Sequence, residues 1–359
     1  MKKILVIQNK RIGDVLIASL IADNIKSIFP DAEVHFFVYD YTAGVIENHK
    51  NIKKIVQIQE KWLKKIPNLV ATALKLRRER YDIIFDPYAK FQSRFICLFS
   101  GAATRVGFKK RPKDPLLPFY THSVNFLEEK TQICGKSIED RIHLVNSAFP
   151  LENPIYEPKI HLTPQEKSHP KLKSYQTPVV MFGVLGSTPQ KSMPYDYVVE
   201  IIDYIIDKFK LKILFNYAPH QKEEALKIYN ACQNKSAILF DIYEDSIRGF
   251  IQLMNQCSLL ISNEGGAVHI AKALKKPSFT IFSPYVLKSH WASFEDGTTH
   301  TSIHLLDEQP ELFSTNREER KKIEQNPRML YEQLTPQLIL PKLTVFLNHH
   351  LTNEKAKLD

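Results

Sequence analysis

LLISNEGGAVHIAKALKKPSFTIF, residues 259–282, carries the clearest structural signal in the chain. Leu259–Ser262 is a short aliphatic run of strand length, Gly265–Leu274 places apolar residues at helical spacing, and Ser278–Phe282 is again a short apolar run. Apolar runs that alternate with helix-period stretches are the pattern of a parallel sheet covered by helices on both faces. Gly265 and Gly266 stand at the junction of the first strand and the helix, where free backbone amides and the helix dipole favour an anion. His269 follows about one turn into that helix.

Outward from this stretch the alternation continues. Upstream, strands are expected at Val179–Gly183, Lys212–Asn216 and Ala237–Phe240, with helices at Tyr195–Phe209, Gln221–Cys232 and Ile247–Asn255. A first series has strands at Lys3–Gln8, Glu33–Tyr39, Lys54–Ile58 and Asp82–Asp86, with helices from Asp14 to about Phe29 and from Trp62 to about Arg80. Six of the 21 prolines fall between residues 150 and 178, a density that disfavours helix and central strand and marks a linker. Two doubly wound domains are therefore expected, over residues 1–160 and 161–335, with an amphipathic closing helix in a 336–359 tail. In open α/β folds, ligands bind at the carboxyl ends of the strands, so a cleft between the two domains is the expected site.

Length and composition agree with this plan. The 359 residues, 43% hydrophobic and 25% charged, suit two globular domains and exclude a disordered or collagen-like chain. The net charge of +10 is confined to the first part: residues 1–150 hold 25 basic and 15 acidic side chains, against 24 of each in the remainder. One basic half points to an anionic partner for that half. Cys97, Cys134, Cys232 and Cys257 form no CxxC pair, and neither a zinc site nor a disulfide framework is expected. MKKILVIQ is interrupted by Asn9, Lys10, Arg11 and Asp14 before it reaches signal-peptide length, and no apolar stretch is long enough to span a membrane. A cytoplasmic location is expected, with peripheral contact at the cytoplasmic face of the inner membrane.

Two further loops carry chemistry. NKRIGD (9–14) follows the first strand and opens a helix; Gly13 permits a tight turn, and Asp14 reads either as a helix cap or as a general base. GVLGSTPQKSMP (183–194) offers two glycines, Ser187, Thr188 and Lys191 as phosphate contacts, although it lacks the GK[ST] ending of a Walker loop. GxGxxG is absent as well, which argues against dinucleotide binding of that kind.

Taken together, these segments resemble glycosyltransferase family 9, the lipopolysaccharide heptosyltransferases, from Lys3 to about Trp291. RIGDVLIASLIADNIKSIFPDAEVHFFV (11–38) looks like the family's opening, YDIIFDPYAKFQSRFICLFSGAATRVGF (81–108) is similar to its acceptor-side segment, and SNEGGAVHIAKALKKPSFTIFSP (262–284) is similar to its donor motif. The resemblance implies a GT-B fold of two Rossmann-like domains, the first for the acceptor and the second for a nucleotide sugar. It further implies inverting transfer of a sugar, heptose from ADP-heptose being the expected donor, to a lipid A-linked core. Asp14 would be the catalytic base. Ser187, Thr188, Lys191, Glu264, Gly265, Gly266 and His269 would hold the donor. Gly13, Arg105, Lys109, Lys110, Arg111 and Lys113 would serve the anionic acceptor. No cofactor or metal is implied.

Four departures from the family pattern lie on the donor side: Glu264 for Asp, Gly265 for Ser or Thr, Met193 for Trp, and NYAPHQKEE (216–224) for a Gly-Gly-Pro-type turn. They leave open a GT-B transferase with another donor sugar, a sugar-nucleotide 2-epimerase-like enzyme, or a degenerate sugar-nucleotide binder. A nucleic-acid-binding protein is disfavoured, because no basic stripe interleaved with aromatics is present.

Overall fold

The computed structural model describes residues 1–109, 118–313 and 327–355. It divides into two compact units, Met1–Thr163 and Pro164–Asp359.

In the first unit β1 (Lys3–Ile7), β2 (Glu33–Tyr39), β3 (Lys54–Ile58), β4 (Ile83–Asp86), β5 (Thr104–Phe108) and β6 (His122–Val124) form one parallel sheet, ordered β3-β2-β1-β4-β5-β6. Strand order reverses beside β1, and that is where ligand crevices form in doubly wound sheets. The central position of β1 follows from its letters: Ile4, Leu5, Val6 and Ile7 are buried on both faces. Helix α1 (Ile12–Ile28) is buried over almost its whole length from Gly13 to Ile25, and it packs against α5 (Lys136–Asn146). Asn24 of α1 pins the chain beyond α5, donating to the Ile155 carbonyl and accepting from the Ile155 amide, both at 2.9 Å.

The single helix expected from Trp62 to Arg80 is two. α2 (Glu60–Leu63) stops short, and α3 (Ile66–Arg78) restarts with Pro67 in its first turn, where a missing N–H costs nothing. α4 (Phe91–Phe99) follows β4.

The second unit holds β7 (Val179–Gly183), β8 (Lys212–Asn216), β9 (Leu259–Asn263), β10 (Ser278–Ile281) and β11 (His300–Ile303), parallel and ordered β11-β10-β9-β7-β8. α6 (Tyr195–Phe209), α7 (Lys222–Ala231), α8 (Ile247–Gln256) and α9 (Gly266–Ala273) connect and cover them. The strand expected at Ala237–Phe240 does not form. Residues Lys235–Ala237 make a 3-10 turn, one bridge joins Ile238 to Ile213, and the chain then turns away as the Ile242 amide bonds the Leu239 carbonyl. The helix Pro336–Lys355 contributes Ile339, Leu343, Phe346 and Leu347 to the core of this unit.

Gly183, at the carboxyl end of β7, is paired with Ser262 of β9 so closely that a Cβ would stand 2.1 Å from the Ser262 hydroxyl and 2.9 Å from its Cβ. Gly183→Ala is expected to cost about 1–3 kcal/mol through this overpacking, read as a lowered midpoint in denaturant unfolding. An unchanged midpoint would mean that the two strands separate freely here.

Candidate functional site

The loops that leave the carboxyl ends of β1, β7 and β9 carry the candidate residues. After β1, the chain crosses Gln8, Asn9 and Lys10 and enters α1 behind Arg11. Arg11 is the cap residue and supplies no side-chain cap, so Asp14 lies inside the first turn instead of capping it. Asp14 is 5% exposed because α1 is enclosed. A carboxylate so placed needs partners. Lys10 Nζ lies 2.7 Å from Asp14 Oδ1, one helical turn before it, and the Arg141 guanidinium of α5 reaches the same oxygen at 3.3 Å. Arg141 is held in turn by donating to the Ser137 carbonyl at 2.9 Å. Tyr88, half-buried beyond β4, has its hydroxyl pKa pushed up first by burial and then by the Glu60, Asp14 and Asp86 carboxylates. It therefore remains a neutral donor at physiological pH. Gly13 is buried in the first turn of α1 beside this group.

Asp86, at the end of β4, ties together the chain that follows β4 and the chain before β6. Its Oδ1 accepts from the Tyr88 and Ala89 amides at 3.1 and 2.8 Å, and its Oδ2 accepts from the Tyr120 hydroxyl at 2.6 Å. Arg105 is not presented to solvent as a bare cation. Its guanidinium donates to the Ala102, Phe119 and Pro118 carbonyls at 2.7, 3.1 and 3.4 Å, binding the strand to the chain beyond residue 117. Lys109 is exposed, whereas Lys110, Arg111 and Lys113 lie outside the described residues.

In the second unit, the loop after β7 is drawn tight around Gly186. A Cβ there would meet the Lys191 carbonyl at 2.1 Å, and the Gly186 amide donates to Ser192 Oγ at 2.9 Å. Asn263, the last residue of β9, donates to the Lys191 carbonyl at 3.2 Å and to the Tyr331 hydroxyl, which fastens this loop to the start of the next one. Ser187 and Thr188 are exposed on it. Met193 is buried in the hydrophobic core, so the position where the family carries Trp is here a packing residue.

Glu264 follows Asn263. Its Oε2 accepts from the Ser283 amide at 2.9 Å, and its Oε1 faces Lys191 Nζ in an ion pair of 3.4 Å. Burial raises the pKa of this carboxyl, against the lowering influence of the Ser283 amide and Lys191. Gly265 caps α9 at φ 150°, ψ −163°, a region that only glycine occupies readily, and nothing lies within 4 Å of where its Cβ would be. Gly266 opens α9, so the first amides of this helix have no partner within it, and Glu264 with its partner Lys191 stands just before that start. Tyr285 joins the group, its hydroxyl pKa raised first by burial and then by Glu264. His269 is half-buried on the fourth position of α9.

Ser187, Thr188, Lys191, Glu264, Gly265 and Gly266, expected from the sequence to hold a donor, thus fall on two adjoining loops. The sequence reading omitted Lys10, Arg141, Asn263, Ser283, Tyr285 and Tyr331. Lys10 was open to detection as a basic residue four before Asp14. Arg141 is 127 residues from its partner, on a helix whose polar letters gave no separate signal.

Two doubly wound parallel sheets, each with its polar residues on loops at the strands' carboxyl ends, constitute the GT-B glycosyltransferase architecture. The model of glycosyltransferase family 9 (heptosyltransferase) matches residues 70–322, and the chain belongs to this family and is a glycosyltransferase. It is 24% identical over 296 residues to lipopolysaccharide heptosyltransferase 1 of Campylobacter coli, covering 78% of this chain and 83% of that one. Among solved structures, a glycosyltransferase family 9 protein from Veillonella parvula superposes with a TM-score of 0.79 at 14% identity, over 96% of this chain and 97% of the other. The E. coli ADP-heptose lipopolysaccharide heptosyltransferase II does so at 0.72 and 16%, over 99% and 100%.

Proposed function

We propose that this glycosyltransferase moves heptose from ADP-heptose to an anionic, lipid A-linked saccharide of the lipopolysaccharide core, with inversion at the anomeric carbon. The observation that carries the reading is the paired-loop group of the second unit. There, a glycine-capped helix start, two exposed hydroxyl residues and a lysine are gathered where a diphosphate would be stabilised by amides, dipole and ammonium.

In the mechanism, Asp14 takes the proton of the acceptor hydroxyl while that oxygen attacks the anomeric carbon from the face opposite the diphosphate. Lys10 and Arg141 both address Oδ1 of Asp14, which orients the carboxylate with Oδ2 as the proton-accepting atom. Negative charge growing on the departing diphosphate is met by Lys191, Thr188 and the amides at Gly265 and Gly266. The excess basic charge of residues 1–150, including Lys109 and the run Lys110, Arg111 and Lys113, suits a phosphorylated acceptor presented at the cytoplasmic face of the inner membrane.

The donor is tested by thermal shift with ADP, UDP and GDP and with ADP-heptose. ADP forms are expected to raise the melting midpoint, since a ligand at 100 times its Kd adds about 2.7 kcal/mol. A shift with UDP alone would replace the heptose assignment with a UDP-sugar, and NMR with that sugar would then separate transfer from epimerisation.

A further inference from the structure

We propose that helices α3 and α4 of the first unit form a docking face for an anionic phospholipid bilayer, lying in the plane of the headgroup and acyl boundary. A helix on the surface of a soluble unit normally carries one apolar face. In α3 that face is widened. Leu69, Ala73 and Leu76 face the core. About a quarter-turn further round the helix, Ile66, Val70 and Leu74, one turn apart, are 57%, 38% and 50% exposed, and Trp62 just before them is 48% exposed. α4 packs on α3, and the Arg77 guanidinium donates to the Phe99 carbonyl at 3.2 Å, joining their carboxyl ends. Along α4, Phe91, Phe95 and Phe99 form a ring series at 6.3 and 4.5 Å, with the two outer rings exposed. Exposed large apolar side chains gathered on two packed helices mark an interaction site.

Charge selects the partner. Residues 60–80 hold seven basic and two acidic side chains. Both acids are paired with lysines, Glu60 with Lys64 and Glu79 with Lys3 and Lys54. A second copy of the chain would bring one cationic rim onto another in a symmetric contact. An anionic membrane instead takes the aromatic and aliphatic side chains into its boundary, while exposed Lys61, Lys65 and Lys75 lay their stems on it and keep their ammonium groups among phosphates. The inference does not rest on the identity of donor or acceptor.

The test uses the full chain carrying Trp291→Phe, so that Trp62 is its sole tryptophan, and vesicles of phosphatidylglycerol and phosphatidylethanolamine that contain no saccharide. Co-sedimentation with these vesicles and a blue shift of Trp62 emission are expected. Binding should be about tenfold or more weaker to phosphatidylcholine vesicles, and similarly reduced in the Ile66→Ser/Leu74→Ser/Phe91→Ser variant, whose melting curve controls for folding. Unchanged Trp62 emission on binding would overturn the proposal, and this readout needs no apolar substitution. So would wild-type binding by the triple variant combined with loss of binding on neutralising Lys109, Lys110, Arg111 and Lys113. A third overturning result is absence of vesicle binding together with a dimer that the triple variant converts to monomer.

Discussion

Asp14→Asn is expected to reduce sugar transfer by about 100-fold or more while nucleotide binding persists. The substitution keeps the shape of the side chain and removes its capacity to accept a proton, and loss of a positioned general base has an effect of about 10²–10⁴-fold. In the proposed function the donor is held by loops of the second unit, whereas Lys10 and Arg141, the partners of Asp14, lie in the first, so the nucleotide-induced rise in melting midpoint should remain. A stability cost accompanies the kinetic one. Arg141 is buried beside Asp14, and removing one member of a buried ion pair costs about 3–5 kcal/mol. Turnover must therefore be measured below the lowered melting range, by mass-spectrometric detection of the extended acceptor. Near-normal turnover under those conditions would remove Asp14 from the role of base.

Lys191→Ala is expected to lower turnover on the order of 100-fold, because a preorganised cation or donor directed at developing charge contributes about 10²–10³ in kcat. Its ion pair with Glu264, at 3.4 Å, is loose enough for the ammonium to turn toward a diphosphate. The variant should also show a signed pH effect. Burial already raises the Glu264 pKa and Lys191 opposes that rise, so removing the lysine moves it further up and leaves a carboxylate beside the donor phosphates. The deficit should then be largest at neutral and alkaline pH and shrink as pH falls through the raised value and Glu264 becomes neutral. A pH-independent deficit would separate Glu264 from the donor site. A loss confined to KM would assign Lys191 to ground-state binding instead of leaving-group stabilisation.

Much of the fold was readable because buried parallel strands declare themselves as short runs dominated by aliphatic and aromatic letters. KILVI, EVHFFVY, VVMFG and LLISN stand out for that reason. TRVGF, HSV and HTSI do not. They are short, partly polar and, for β6 and β11, at a sheet edge, where one side needs no apolar cover. AILF, at 237–240, failed in the opposite direction: its apolar letters serve the core and an aromatic stack of Phe240 with Tyr217, and a turn ends the pairing after one bridge. The candidate site divides along the same line. Asp14, Lys191, Glu264 and Gly265 belong to local strand-loop-helix motifs, so neighbours in sequence announced them. Arg141 and Tyr331 reach their partners across the fold, and no spacing within a single motif encodes them.

The helix Pro336–Lys355 has a bearing on how the chain is made. Its side chains, to Leu351, complete the core built around strands that begin at Val179, whereas the first unit is closed within Met1–Thr163. At about 5–20 residues per second of synthesis, the first unit is free to fold roughly 10–40 s before the second can seal its interior. During that interval the ribosome carries a finished unit tethered to one with an open hydrophobic flank, and that flank is where chaperone capture and early proteolysis should concentrate.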